Sequence, residues 1–452
     1  MNDNEARWIV VRNSYKRAMI ELLEVKKDSY ANISKDHEKH FTRKRKMPLG
    51  RLVLSVLARK GRTAVIELRS LFRELNETDT ISKAGYSKQR QKLNPRAFSH
   101  LSDLRAKNFY RDKSAVKKMK NYVIVASDGS NLNLPNTKET FEKYGSSARK
   151  GVKTQSALGL GCMFDVLNKM IIGATINRVK FDERKCALSQ MNQAEELIGN
   201  SKVIYVFDRG YPSGELFINL AQMGRKYLMR LSSTTFKAEQ KNMEHDDEIV
   251  TIVFDKTRIN AHRQNGNHEA AEKLMRAGSI KVRFVKILLD TGETEYLATN
   301  LSVDEFSLSE LKRLYHLRWE IETAFDTLKN KLQIENFSGT SPIVIEQDIF
   351  ATIYLSNILH DMLQEAQQEF DKTNTSDYKY QMAINKNIAI GLLKEALIQF
   401  VLAKNRRKQK AIFKDMIMNM QKYIEPVRDD RKFQRTKGKL ANSYSNVNKR
   451  AY

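Results

Sequence analysis

The chain has 452 residues, with 79 Lys and Arg against 53 Asp and Glu, a formal charge of +26 and a pI near 9.8. That length accommodates roughly two to four domains, and that charge calls for a polyanionic partner, nucleic acid ahead of an anionic membrane surface. Two cysteines, Cys162 and Cys186, exclude a disulfide framework and a cysteine-rich zinc module; no apolar run reaches membrane-span length, and the polar start Met1-Asn2-Asp3-Asn4-Glu5 is unlike a secretory signal, so a cytoplasmic setting away from membranes is expected.

Residues 1–115 read as a helical region. Leu52, Val53, Val56, Leu57, Leu68, Leu71, Phe72 and Leu75 recur at helical spacing among basic residues, and a run of cations stands at Arg43-Lys44-Arg45-Lys46. Asn94 is placed to cap a helix with Pro95 in its first turn. The short basic units around Gly85 form either a helix-turn-helix reader of DNA or a solvated helical hairpin.

The period then changes. Tyr122-Val123-Ile124-Val125-Ala126 is a β-branched run that ends at Ser127-Asp128-Gly129-Ser130. Strands are predicted over 154–166 and 169–179, a helix over 182–199, and a buried-type strand Lys202–Phe207 that stops at Asp208-Arg209-Gly210-Tyr211. A helix near 213–223 and a strand at 226–231 follow. This order gives an α/β arrangement, a mixed sheet covered on both faces, spanning 116–232. Its two aspartates are expected just past the ends of two strands, where a rigid backbone presents side chains to a crevice.

Residues 233–305 read as an all-β insertion, with strands at 248–255, 280–289 and 296–300 and polar loops between. A long amphipathic helix over 307–332 follows, in a segment 306–342. Helices are expected again within 343–427, before a basic, Ser- and Asn-rich tail at 428–452. Apolar residues in 343–363 exceed one helix stripe, so they require a second surface, within the chain or across an interface.

On the helix 307–332, positions 315, 318, 322, 325 and 329 share one stripe, occupied by Tyr315, Arg318, Glu322, Phe325 and Lys329. Spacing alone reads Arg318 and Glu322 as an exposed ion pair of little consequence, and Trp319 beside them as core packing. The four residues Tyr315, Arg318, Glu322 and Lys329, in the order Tyr-x2-Arg-x3-Glu-x6-Lys, resemble the signature of the bacterial insertion-sequence transposases of the YREK type (insertion-sequence family four). Ser127-Asp128-Gly129-Ser130 resembles that family's first aspartate block and Asp208-Arg209-Gly210-Tyr211 its second. The resemblance covers roughly residues 80–360.

The resemblance implies a ribonuclease H-like core in which Asp128, Asp208 and Glu322 are catalytic and hold two Mg²⁺ ions, with Mn²⁺ a substitute. Hard carboxylate oxygens suit Mg²⁺, and two ions about 4 Å apart can activate water and stabilise the leaving oxygen of a phosphodiester. Tyr315, Arg318 and Lys329 would hold the terminal phosphates of double-stranded transposon DNA, with Arg318 forking onto a phosphate and Lys329 acting as a point charge. Relatives stack a flipped base on a tryptophan in the insertion; this chain's tryptophans are Trp8 and Trp319, which leaves Tyr296 as the candidate ring, or as an ordinary strand aromatic. The implied protein is a cut-and-paste transposase, a homodimer on paired ends, with residues 1–115 reading the end sequence. The competing readings are a nuclease of the same fold that cuts without joining, and an inactive DNA-binding descendant.

Overall fold

The computed structural model describes residues 40–41, 46–147, 154–289, 292–374, 376–403 and 405–428; the expectations for 1–39, for Arg43-Lys44-Arg45 and for 429–452 lie outside them. The molecule is organised by a nine-stranded mixed sheet. At its centre β1 (Tyr122–Asn133) runs parallel to β5 (Lys202–Phe207), which runs parallel to β6 (Lys226–Leu231). On the other side β1 pairs antiparallel with β3 (Gln155–Asp165), and β3 with β2 (Ser146–Ser147) and β4 (Met170–Arg178). The first six residues of β1 are buried without alternation, as a central strand covered on both faces requires.

The segment expected to be an all-β insertion is not one. Its strands β7 (Asp247–Val253), β8 (Ser279–Leu288) and β9 (Thr294–Thr299) extend the central sheet, with β9 hydrogen-bonded to β6. Two helices, Lys256–Gln264 and His268–Ala277, stand between β7 and β8. Their apolar stripes are thin, with Ile259 alone buried on the first and Ala270, Ala271 and Leu274 on the second, so the sequence there resembles polar loop.

Strand parity sorts the core into two. Ile124, Ala126, Ile204, Val206, Leu228 and Leu297 point to one face, with the helices that follow residue 307. Val123, Val125, Tyr205, Phe207, Tyr227 and Ala298 point to the other, with α-helices Glu183–Ile198 and Gly214–Gln222.

The flanking helical regions share the first of these cores. Helices α1 (Leu49–Leu57), α2 (Ala64–Glu74), α3 (Lys83–Arg90) and α4 (Arg96–Arg111) pack with the long helix Pro342–Thr373 and the helices Lys386–Leu402 and Arg406–Gln421. Asn94 accepts from the Arg96 amide at the start of α4, as its position predicts. Arg90 of α3 is locked to the long helix through Gln347 (2.6 Å) and Asp348 (2.9 Å), and Arg59 reaches the same Asp348 at 3.1 Å. Ile345, Ile349, Ile353, Tyr354, Ile358 and Leu359 are all buried within the chain, so the apolar excess of 343–363 finds its second surface inside the chain and does not argue for an interface.

Candidate active site

Asp208 lies directly past the last residue of β5, as expected. Asp128 does not follow the end of its strand: β1 continues to Asn133, paired with β3 alone once β5 has stopped at the level of Ala126. The effect is the same. Where β5 leaves the ladder, Asp128 has the parity of Ile124 and Ala126, and both carboxylates belong to the face covered by the helix 308–331.

That helix is not continuous. It divides into α-helix Leu308–His316, opened by a Ser307/Glu310 capping box, and α-helix Trp319–Asp326, and ends in a π-helical turn, Thr327–Lys331. Tyr315 and Phe325 both join the core, and Tyr315, Arg318 and Glu322 stand over the sheet end. The Tyr315 phenol donates to Asp208 Oδ1 at 3.4 Å, Arg318 Nε lies 3.9 Å from the same oxygen, and Arg318 Nη2 donates to Glu322 Oε1 at 2.9 Å. Arg318 is itself buried, so the pair is not the exposed ornament that spacing suggested. Lys329, carried by the π turn, donates to the backbone carbonyl of Asn131 on β1 at 3.0 Å. π turns widen a helix by one residue and recur at functional sites.

The electrostatics follow from burial and neighbours. Asp128 is pushed up to about 6, first by burial, then by the like charges of Glu183 and Asp208, against the Gly129 amide (2.8 Å) and the Arg318 charge. Burial works against the Arg318 charge, but the oxygens of Tyr315, Asp208 and Glu322 outweigh it and the pKa is raised. Burial lowers the Lys329 pKa, with Glu335 opposing.

One expectation fails here, and one of two alternatives for Tyr296 is favoured. Tyr296 of β9 packs against the second core, on the opposite sheet face from the two aspartates; its neighbour Glu295 takes the site-facing parity and pairs with Arg230 at 2.9 Å. A one-residue difference along a strand reverses the face. Trp319 is not core packing: it is 40% exposed, with the Arg318 guanidinium 4.8 Å from its ring centre.

Sequence reasoning missed Glu183, the first residue of the helix Glu183–Ile198. The residue as a whole is exposed, yet its carboxylate is tucked against Gly129: a Cβ there would lie 2.5 Å from Glu183 Oε1. Burial raises the Glu183 pKa, opposed by a hydrogen bond from Tyr211 and reinforced by Asp208. The signal was the glycine after Asp128, which reads as a place where something approaches the backbone closely.

Donor chemistry at the site suits a hard divalent cation, with carboxylate oxygens on β1, after β5 and on the helix. Among the described residues, however, no three His, Cys, Asp or Glu side chains are grouped tightly enough to hold a metal ion. Arg318 stands between Asp208 and Glu322, and its buried Nε has no hydrogen-bond partner. Glu322 would have to leave Arg318 to join the aspartates.

The Transposase DDE domain family matches residues 119–358, a little over half of the chain and all of the strands and helices just described around Asp128, Asp208 and Glu322. The chain belongs to that family. It is also similar to the InsL transposase of insertion sequence element IS186A from Escherichia coli K12 and to the transposase of insertion sequence element IS421 from Escherichia coli, each 29% identical over 113 residues. The matched stretch is 25% of this chain and 26% of each of those proteins. Among solved structures, the piggyBac transposase synaptic complex with hairpin DNA aligns at a TM-score of 0.42 and 11% identity, over 82% of this chain and 74% of that one. No helix of the described residues is long and apolar enough to cross a membrane.

Proposed function

We propose that the chain is a cut-and-paste DNA transposase of the YREK type, built on a ribonuclease H-like core, that cuts insertion-sequence ends and joins them to target DNA. One observation carries the reading. Asp128 and Asp208, from neighbouring parallel strands of a Transposase DDE domain, share a sheet face with a helix that puts Tyr315, Arg318 and Glu322 over them.

In this reading Asp128, Asp208 and Glu322 would hold two Mg²⁺ ions, or Mn²⁺ in their place. When bound, such ions supply the charge that activates an attacking water or 3′-hydroxyl and stabilises the leaving oxygen. The protein's own part is positioning. The sheet end fixes Asp128 and Asp208; Tyr315 orients Asp208 through its phenol. Arg318 neutralises Asp208 and Glu322 until a DNA phosphate, bound bidentately, takes the guanidinium and releases Glu322. Lys329, bonded to the carbonyl of Asn131 on β1, the residue next to Ser130, adds a point charge toward the DNA backbone. The charge of +26 supplies long-range attraction for double-stranded DNA, and the helices before residue 115 provide the reading of the end sequence. A homodimer on paired ends belongs to this reading, with its contact elsewhere than the apolar side of Pro342–Thr373.

The test uses the full-length protein, Mg²⁺ and DNA carrying the element's terminal repeats, with sequencing of cleaved and joined products. Cleavage and joining are expected, and Asp208→Ala should abolish both while retaining end binding. Cleavage without joining would reduce the reading to a nuclease. Normal cleavage by Asp208→Ala would overturn it.

A further inference from the structure

Among the described residues the central sheet has two unlike edges. One runs along β4 and is closed: Asn357 of the long helix donates to the Ile171 carbonyl at 2.8 Å and accepts from the Ile171 amide at 2.8 Å. The other is β7, bonded to β8 on one side with no strand beyond it. The phase of that ladder decides which groups are left over. The Lys286 amide donates to the Asp246 carbonyl (2.7 Å) and the Phe254 amide to the Gly278 carbonyl (2.8 Å). Residues 248, 250 and 252 therefore face β8, and Asp247, Ile249, Thr251 and Val253 turn their N–H and C=O groups outward. The Val253 carbonyl accepts from Arg258 Nη1 at 2.9 Å and keeps a second lone pair.

Exposed edges are commonly blunted by lysine, proline or a bulge. From Ile249 to Val253 none of these is present. The outward residues are instead good strand formers. Ile249 is 69% exposed and Val253 57%, with exposed Thr251 between them on the same sheet face.

The occupant that fits is read from symmetry and charge. Ile249-Val250-Thr251-Ile252-Val253 has the same kinds of side chain in both directions about Thr251. An antiparallel copy centred on Thr251 sets Ile249 of each copy beside Val253 of the other and satisfies the outward groups of Ile249, Thr251 and Val253. Exposed Glu244 and Asp246 precede the strand. Exposed Lys256 and Arg263 follow it on the helix Lys256–Gln264, where Asp255 is committed to the cap. Antiparallel pairing brings the acidic end of each copy to the basic end of the other, whereas parallel pairing would bring like to like.

We propose that the β7 edge joins two copies of this chain, β7 against β7 and antiparallel about Thr251, so that one sheet runs through both. The proposal goes beyond the transposase reading, because the contact needs neither DNA nor a metal ion.

The test is sedimentation of the full-length protein at micromolar concentration without DNA. Wild type should be a dimer. Ile249→Lys alone and Val253→Glu alone should each weaken it about tenfold or more, with the melting temperature unchanged because both positions are exposed. The double variant Ile249→Lys/Val253→Glu should recover the dimer, since each lysine then faces a glutamate of the other copy. Within one chain the two positions are about 13 Å apart and cannot pair. Thr251→Cys treated with diamide should give a disulfide-linked dimer that wild type, with Cys162 and Cys186, does not give. A monomeric wild type would overturn the proposal; if its melting temperature fell in Ile249→Lys, another part of this chain covers the edge. A dimer that neither single variant weakens would overturn it too, as would loss in the single variants without recovery in the double variant. A dimer that forms only with DNA would overturn it and leave the paired-end reading standing.

Discussion

Two guanidinium–carboxylate groups in this molecule use the same chemistry to opposite ends. In one, Arg90 and Arg59 close on Asp348, whose side chain is 3% exposed. Arg90 also donates to Gln347, Ser338 and the Val344 carbonyl, while the Ser338 amide and hydroxyl serve Asp348. In the other, Arg318 is equally buried but its partners Asp208 and Glu322 are 38% and 41% exposed, and its Nε has no hydrogen-bond partner. The first group has every polar contact filled and cannot take a ligand without breaking one. The second keeps capacity in reserve. A satisfied buried network fastens elements together, and an incompletely satisfied one at a surface is where a phosphate or a cation gains most.

The largest effect tests the fastener. Asp348→Ala leaves Arg90 and Arg59 without their counter-charge and should cost about 3–5 kcal/mol, read as a lower denaturant midpoint; a loss under about 1 kcal/mol would show that the two groups do not differ. Next, Arg318→Ala should lower cleavage about 100-fold while changing stability by no more than about 1 kcal/mol, because Asp208 and Glu322 can hydrate when it goes. Destabilisation equal to that of Asp348→Ala would erase the contrast.

pH separates the groups by sign. Asp128 is raised to about 6 from an ordinary 3.8, so its contribution is present below pH 3.8 and lost as pH rises through 6. Asp128→Asn, which never ionises, should therefore stabilise the metal-free protein by about 2 kcal/mol at pH 7.5 and give no gain at pH 3.5. Asp348 is lowered: although burial alone would raise it, Arg59 and Arg90 prevail. Its contribution is present above 3.8 and lost as pH falls. Urea titrations at the two pH values check both slopes, and an unchanged Asp128→Asn profile would remove the account of Asp128 as a buried carboxylate beside like charges. The smallest effect belongs to Glu322→Gln, which should change stability by no more than about 0.5 kcal/mol, less at high salt.

Much of this was legible in the sequence. The run Tyr122–Ala126 announces a central strand because its residues are apolar on both faces, and Asp128 and Asp208 follow from where such runs meet polar residues. Tyr315, Arg318 and Glu322 come together because spacings of three and four put them on one helical stripe. Asp165, at the turn after β3, accepts from the Leu167 and Asn168 amides, the local bonding a turn aspartate favours. What was hidden depends on pairing and packing. Glu183 comes against Gly129 only through the tertiary fold. Tyr296 and Glu295 exchange faces by a single step of register. Trp319 stays exposed beside Arg318, which no local pattern encodes. Arg90 and Asp348 are 258 positions apart, so their bond belongs to the tertiary fold.

The long helix Pro342–Thr373 has 32 residues and so runs about 48 Å. It touches α1, α4 and β4, and Asp348 pins it to Arg59, just past α1, and to Arg90 of α3. If the N-terminal helices read the transposon end, as proposed, that grip is held at a set span from Asp128 and Asp208. On that reading the helix acts as a measuring rod: the bond to be cut would be chosen by its distance from the grip, and lengthening or shortening the DNA between the two by one base pair should move the cut by one base pair along the sequence.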